Sequence, residues 1–245
     1  MYNIKLTLQY DGSAYHGWQI QNNAVTVQQT VCDALKELTR DNDINLVGCG
    51  RTDAGVHAEG YICNFKTNSL IPPEKYSYAL NTKLPDDIVC VKSELAEEDF
   101  HAKYSAKKKN YIYRILNTAY PDAFLRNRVW HIKDKLDIDA MRKAAKCFEG
   151  THDFSGFASS GLSVKTTVRM IFSSDVYREG NIITFDVSGN GFLYNMVRIM
   201  TGTLVFVGMG KIKAEDMPDI INSCDRNRGG ITAPPDGLFL WGVEY

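Results

Sequence analysis

The chain lacks most of the signatures by which a sequence declares a cofactor, a metal or a membrane. Its six cysteines, at 32, 49, 63, 90, 147 and 224, include no Cys-x-x-Cys pair and no cysteine/histidine spacing suited to zinc. A structural metal and a disulfide framework are therefore not expected, and the cysteines read as reduced core residues. There is no Gly-x-x-x-x-Gly-Lys, and no Gly-x-Gly-x-x-Gly after a strand, so no nucleotide-cofactor fingerprint is present. Charge of one sign is not in excess either. The 28 Lys and Arg against 29 Asp and Glu leave a net charge of −1, which excludes a chain that is basic all over. A nucleic-acid partner would require cations concentrated locally. The longest apolar stretch, residues 191–210, is broken by Asn195 and Arg198 and bounded by glycines. It is expected to be a buried helix of a soluble protein, not a membrane span. In place of a secretory leader the first residues run into an alternating strand, and a cytoplasmic location is expected.

What is present points to an α+β chain in two halves. No segment is low-complexity and no linker is long enough to separate them, and 245 residues suffice for two small domains. Strand and helix patterns are similar before and after about residue 105, which divides the chain into 1–105 and 106–245. Tyr2, Ile4, Leu6, Leu8 and Tyr10 alternate as a first strand. Val27, Val31, Leu35 and Leu38 recur at helical spacing after Thr26. Strands are expected at 44–50, 59–65, 87–94, 110–117 and 238–245, with a hairpin across 166–187. Helices are expected from Pro72-Pro73, over 137–148, and near 191–207 and 214–223.

Residues 48–58, Gly-Cys-Gly-Arg-Thr-Asp-Ala-Gly-Val-His-Ala, carry the densest chemistry. Three glycines let the backbone approach a neighbour closely and hold Arg51 and Asp53 in one confined loop. Two readings stand: a turn in which Asp53 bonds its own backbone and Arg51 is solvated, or a functional loop. A second feature is cationic. Lys103, Lys107, Lys108, Lys109 and Arg114 lie within 101–116 with no acid among them, interleaved with Tyr104, Tyr111 and Tyr113. Such a run is either a solvated loop or a surface offering both charge and stacking to nucleic acid. Third, Arg198 shares a narrow polar stripe with Asn195, Thr201 and Gly202 on the apolar helix. A guanidinium there needs a partner or water, and Asp53 is the acid favoured over a structural one.

Taken together, these residues resemble the bacterial tRNA pseudouridine synthase A family over nearly the whole chain. The matching segments are Tyr-Asp-Gly-Ser-Ala-Tyr-His-Gly-Trp-Gln at 10–19, Thr-Val-Gln at 26–28 and Gly-Arg-Thr-Asp-Ala-Gly-Val-His-Ala at 50–58. They continue with Asp-Phe-His-Ala at 99–102, Tyr-Ile-Tyr at 111–113, His-Asp-Phe-Ser at 152–155, Gly-Phe-Leu-Tyr at 191–194, Met-Val-Arg at 196–198 and Gly-Leu-Phe-Leu at 237–240. The resemblance implies isomerisation of uridine to pseudouridine at positions 38–40 in the anticodon stem-loop of tRNA. It implies the pseudouridine synthase fold, two α/β-sandwich (ferredoxin-like) halves sharing a central antiparallel sheet, and a homodimer that needs no cofactor and no metal. Asp53 matches the catalytic aspartate, Tyr111 the active-site tyrosine, and Arg51 the arginine that enters the space left by the target base. Arg198 is expected to keep Asp53 charged, and Tyr113 to complete the pocket wall. Lys103, Lys107, Lys108, Lys109 and Arg169 are the remaining candidate RNA contacts, and His57 either touches RNA or orders the turn through hydrogen bonds. The chain departs from the family at Asn195, where histidine is frequent, at Lys103, at Lys109-Asn110, and at Gly156 and Ala158. Those changes leave open a shifted RNA substrate, and a non-catalytic RNA-binding protein on the same fold is the alternative.

Overall fold

The computed structural model describes residues 1–161 and 164–245. It divides into two compact units, Met1–Lys107 with Phe239–Tyr245, and Lys108–Leu238. Their elements are mixed α+β, the class expected from the sequence.

The first unit opens on β1 (Tyr2–Tyr10), whose Ile4, Leu6, Leu8 and Tyr10 are buried while Tyr2, at the strand's edge, is exposed. Helix α1 (Val27–Thr39) starts where Thr26 caps it, its hydroxyl accepting the Gln29 N–H, and it buries Val27, Val31 and Leu35. The expected strand over 44–50 shrinks to β2 (Val47–Gly48), although Ile44 and Leu46 are buried. Next come β3 (His57–Thr67), α2 (Tyr76–Asn81) and β4 (Ile88–Leu95). Strand β1 lies between β3 and β4, antiparallel to both, and β2 adds to β3. A buried amide pair stitches this sheet to the chain beyond it. Asn64 donates to Asn3 Oδ1 (2.9 Å), and Asn3 donates to the carbonyls of Glu97 (2.8 Å) and Phe100 (2.9 Å).

The second unit begins with β5 (Lys108–Asn117) and the short parallel strand β6 (Trp130–Ile132). Helix α3 (Ile138–Lys146) is capped by Asp137, which accepts the Ala140 N–H. Strands β7 (Gly150–Asp153), β8 (Val168–Glu179) and β9 (Ile182–Gly189) complete an antiparallel order β5-β9-β8-β7. Gly180, at φ 58, opens the two-residue turn between β8 and β9. Two helices follow, α4 (Met196–Gly208) and α5 (Met217–Ser223). Met141, Phe148, Phe154, Phe157, Phe185 and Ile199 form the unit's fully buried core.

Helix α4 begins at Met196, five residues later than its hydropathy suggests, because Asn195 takes a left-handed conformation at φ 60. The expected polar stripe also divides. Thr201 bonds its hydroxyl to the Val197 carbonyl of its own helix (2.8 Å). At Gly202 a Cβ would lie 1.8 Å from the Ile231 carbonyl oxygen, so glycine is required there for close backbone packing. Only Asn195 and Arg198 remain to do chemistry. Among the described residues no helix is long and apolar enough to cross a membrane. The last strand, β10 (Leu238–Glu244), pairs parallel with β3 through Phe239 and Leu240, which is why the chain's end groups with the first unit.

Candidate active-site residues

The loop between β2 and β3 owes its shape to an aromatic base. Tyr61 stacks on Trp18 with ring centroids 4.0 Å apart, and Tyr10 packs against Tyr61 at 5.7 Å. Each of the three also holds the loop by a polar group. Tyr61 donates its hydroxyl to the Gly50 carbonyl, Tyr10 shares a hydrogen bond with Thr52 Oγ1 (2.9 Å), and the Trp18 backbone N–H donates to the Thr52 carbonyl (3.2 Å). The Val56 N–H then closes a turn on the Asp53 carbonyl (3.1 Å), and the Gly55 N–H donates to the Tyr15 carbonyl (3.2 Å). Backbone approach on this scale requires glycine. A Cβ on Gly12 would sit 2.0 Å from the Val56 carbonyl oxygen, and one on Gly17, at φ +83, 2.3 Å from that of Thr52. Thr52 is thereby buried, Asp53 half-buried and Arg51 exposed, on a backbone fixed from both sides.

His57 supports this loop from below. It is 1% exposed, its ring lies against Phe239 (centroids 4.6 Å), and its Nδ1 accepts the Gly12 N–H (3.1 Å). The same nitrogen is 3.2 Å from Asp11 Oδ1, a pairing that would need a proton on Nδ1. The Gly12 bond needs a lone pair there instead, and Asp11 Oδ1 already accepts from the Ser13 N–H and hydroxyl. The neutral, Gly12-bonded form is the consistent one. Of the two roles open to His57, ordering the turn and touching RNA, its burial and the Gly12 bond favour the first.

In the second unit Tyr111 and Tyr113 share one face of β5, as their spacing requires. Tyr111 is 9% exposed and meets Phe192 edge-on with centroids 5.1 Å apart. Tyr113 has no exposed surface, and its hydroxyl donates to the Pro234 carbonyl (2.7 Å). Burial raises its pKa far above that of an ordinary tyrosine, so it stays a neutral donor. Tyr113 is an anchor for the segment before β10, not the pocket wall expected from sequence.

Arg198 lies half-buried in the first turn of α4. Its Nε donates to the Ala233 carbonyl (2.8 Å) and its Nη1 to Asn195 Oδ1 (2.7 Å). A cation in the first turn of a helix faces the positive end of the macrodipole, an unfavourable placement that its hydrogen bonds offset. Neither the Ala233 bond nor the Asn195 bond was legible from periodicity, because their partners lie in a loop 35 residues on and in a left-handed linker residue.

A family model described as tRNA pseudouridine synthase matches residues 7–105 and 144–245. This chain belongs to the tRNA pseudouridine synthase family. Proteins named tRNA pseudouridine synthase A from Acetivibrio thermocellus and Thermoanaerobacter sp. are 54% and 50% identical to it over 245 residues. One of the same name from Ruminiclostridium cellulolyticum is 51% identical over 246 residues, and in all three cases both chains are covered completely.

The family's cationic candidates fall in both units. In the first, His101 Nδ1 accepts the N–H groups of Lys103 (3.2 Å) and Tyr104 (3.3 Å), and Asn64 and Tyr245 hold Ala102 beneath them. Tyr104 is 76% exposed, with Lys103 Nζ 5.4 Å from its ring centroid, so the turn presents a cation and a stacking surface together. Lys107 is exposed as well. In the second unit Lys108 and Lys109 are half-buried at the start of β5. Arg169 is half-buried beside Gly191, with Nη1 donating to the carbonyls of Thr166 (2.8 Å) and Val168 (2.6 Å). Burial lowers its pKa, from a starting point high enough that it stays charged. Gly191 precedes Phe192, so Arg169 borders the chain that leads to Tyr111.

Proposed function

We propose that the protein isomerises uridine to pseudouridine at positions 38–40 in the anticodon stem-loop of tRNA, as its relatives' name describes for them in broader terms. The observation that carries this reading is the Asp53 turn. The string most specific to the family is built as a rigid loop with a half-buried carboxylate and an exposed arginine two residues before it.

The reaction breaks the bond between N1 of uracil and C1′ of the ribose, forms one between C5 and C1′, removes the proton on C5 and places one on N1. Nothing is oxidised and no group leaves the molecule, so no co-reactant is needed. An ionised Asp53 suits attack on the ribose, attack on the uracil ring or abstraction of a ribose proton, and all three require the carboxylate to border the extruded nucleoside. The target base is stacked in an RNA helix and must first be turned out. Arg51, exposed at the tip of the loop, takes the vacated space, its planar cation able both to stack and to grip phosphate. Tyr111 stacks on the extruded uracil, and its hydroxyl takes up the C5 proton while releasing its own to solvent, which supplies the proton on N1. Arg198 is assigned the task of keeping Asp53 anionic.

This assignment requires the half carrying the Asp53 turn and the half carrying Tyr111 and Arg198 to border one RNA cleft, as α/β-sandwich (ferredoxin-like) halves joined through a central sheet. Their division near residue 105, the homodimer and the cytoplasmic setting belong to the same proposal, which rests on the family's pattern. Purified protein is expected to convert uridine to pseudouridine in a synthetic anticodon stem-loop in the presence of a chelator. Tight binding of that RNA without conversion would favour the non-catalytic alternative.

The lysines admit a separate test. Replacing Lys103 and Lys107 by alanine should weaken stem-loop binding by about tenfold at physiological salt. The slope of log affinity against log salt should fall by roughly 0.7–0.9 for each phosphate no longer neutralised. An unchanged slope would show that these two side chains do not meet the RNA backbone.

A further inference from the structure

The residue just before α4 does work that its position does not explain. Asn195 occupies the N-cap position, where an asparagine side chain ordinarily accepts a hydrogen bond from a backbone N–H of the first turn. No such bond is made. Instead the amide spans two other groups: its Oδ1 accepts from Arg198 Nη1 (2.7 Å), and its Nδ2 donates to Ser159 Oγ (2.8 Å). The orientation of the amide follows from chemistry, because a guanidinium has only hydrogens to give and must face the oxygen. The nitrogen is thereby turned toward Ser159, whose own N–H donates to the Tyr194 carbonyl (3.2 Å).

The backbone conformation and the side-chain bridge demand the same residue. At φ 60 the position is left-handed, which asparagine tolerates better than other residues with a side chain. On its other edge the guanidinium is held by the Ala233 carbonyl, and the Ala233 N–H in turn donates to the Arg198 carbonyl (3.1 Å). That segment is fixed against α4 by the close approach at Gly202, and a Cβ on Gly230 would lie 2.3 Å from the Gly202 carbonyl oxygen. The arginine is thus gripped through Nε from a rigid loop and through Nη1 from Asn195. The two bonds, on Nε and on Nη1, hold the guanidinium plane from two directions.

We propose that Asn195 is a positioning residue that fixes the orientation of the Arg198 guanidinium for the isomerisation, with Ser159 holding the amide in register. The inference rests on the assignment of Arg198 to the site. It predicts an effect on the chemical step and not on RNA capture, since Asn195 carries no charge to offer phosphate.

The decisive experiment is a double-mutant cycle on pseudouridine formation, using Asn195→Gly, Arg198→Lys and the combination under single-turnover conditions. Glycine keeps the left-handed backbone while deleting the amide. Asn195→Gly is expected to lower the rate constant by about 30-fold, within the loss that a displacement of about 1 Å in a site can cause, with KM changed by less than about threefold. In the Arg198→Lys background the same change should cost less than about twofold, because a residue acting through Arg198 has nothing left to orient. A wild-type rate for Asn195→Gly would overturn the proposal, and so would an equal loss in both backgrounds. Should Asn195→Gly fail to fold, Ser159→Ala replaces it in the cycle. A loss of roughly threefold or more that disappears with Arg198→Lys supports the proposal, and an unchanged or additive rate overturns it. Wild-type turnover by Arg198→Lys together with Asp53→Asn would instead refute the site itself.

Discussion

Replacing Asp53 by asparagine is expected to abolish turnover while leaving the fold and RNA binding nearly intact. The substitution keeps the side chain's size and removes its charge. Several bonds that shape the loop do not use the carboxylate: Val56 closes on the Asp53 backbone carbonyl, and Trp18, Tyr10 and Tyr61 hold Thr52 and Gly50. The loss falls on the reaction alone. A positioned acid, base or nucleophile contributes up to about 10⁴-fold, or about 5.5 kcal/mol of barrier. Affinity for the anticodon stem-loop should stay within about tenfold of wild type, since phosphate contacts dominate it. The comparison is made by single-turnover conversion and by filter binding on the same preparation. Turnover by Asp53→Asn within tenfold of wild type would remove Asp53 from the chemistry.

The second large effect is expected far from any reacting group, at Gly12. A methyl there would sit 2.0 Å from the Val56 carbonyl oxygen and 3.1 Å from the Gly55 carbonyl carbon. Both are backbone atoms, so no side chain can swing aside, and the 10–18 segment must lift off the Asp53 turn. Overpacking of this kind costs about 1–3 kcal/mol. For a chain of this size that lowers the melting temperature by roughly 2–12 °C. The His57 bond to the Gly12 N–H is lost in the same movement, loosening the support beneath the turn. Displacing Asp53 by about 1 Å should then lower kcat about 100-fold, well beyond any change in RNA affinity. Gly242→Ala is the control. Nothing lies within 4 Å of a Cβ there, and its melting temperature should stay within about 2 °C of wild type. A Gly12→Ala protein with wild-type melting and kcat would show that the two glycine-rich segments do not dock as described.

How much of this was legible depended on whether the cause was local. Helix α1 followed from a Thr26 cap and a Val27, Val31, Leu35 face, both of which act within a few residues. The strand expected over 44–50 was mostly lost because an apolar run can be buried without joining a ladder, as Ile44 and Leu46 are. Strands β6 and β7 escaped notice because three and four residues, Trp-His-Ile and Gly-Thr-His-Asp, are too short to establish alternation. Asn195 hid the true start of α4, since its left-handed turn leaves no trace in hydropathy. The glycine pattern of residues 48–58 announced close backbone approach, but not what was approached. Tyr10, Trp18 and Tyr61 lie in three separate segments, and only their packing makes them a base for the loop. The same limit explains His57, whose burial depends on Phe239 at the far end of the chain. The departure at Asn195, unexplained in the sequence, acquires a physical account in its bridge from Ser159 to Arg198.

The central claim is that an extruded uridine meets the Asp53 side chain. A structure of the Asp53→Asn protein bound to an anticodon stem-loop tests it most directly. The target nucleoside is expected to be turned out of its stack, with a ribose carbon or the uracil ring within about 3–3.5 Å of the residue 53 side chain. Arg51 should fill the gap in the helix, and Tyr111 should lie against the base. A target uridine still stacked in the stem, or extruded but beyond ~8 Å from residue 53, about a Debye length at physiological salt, would contradict it.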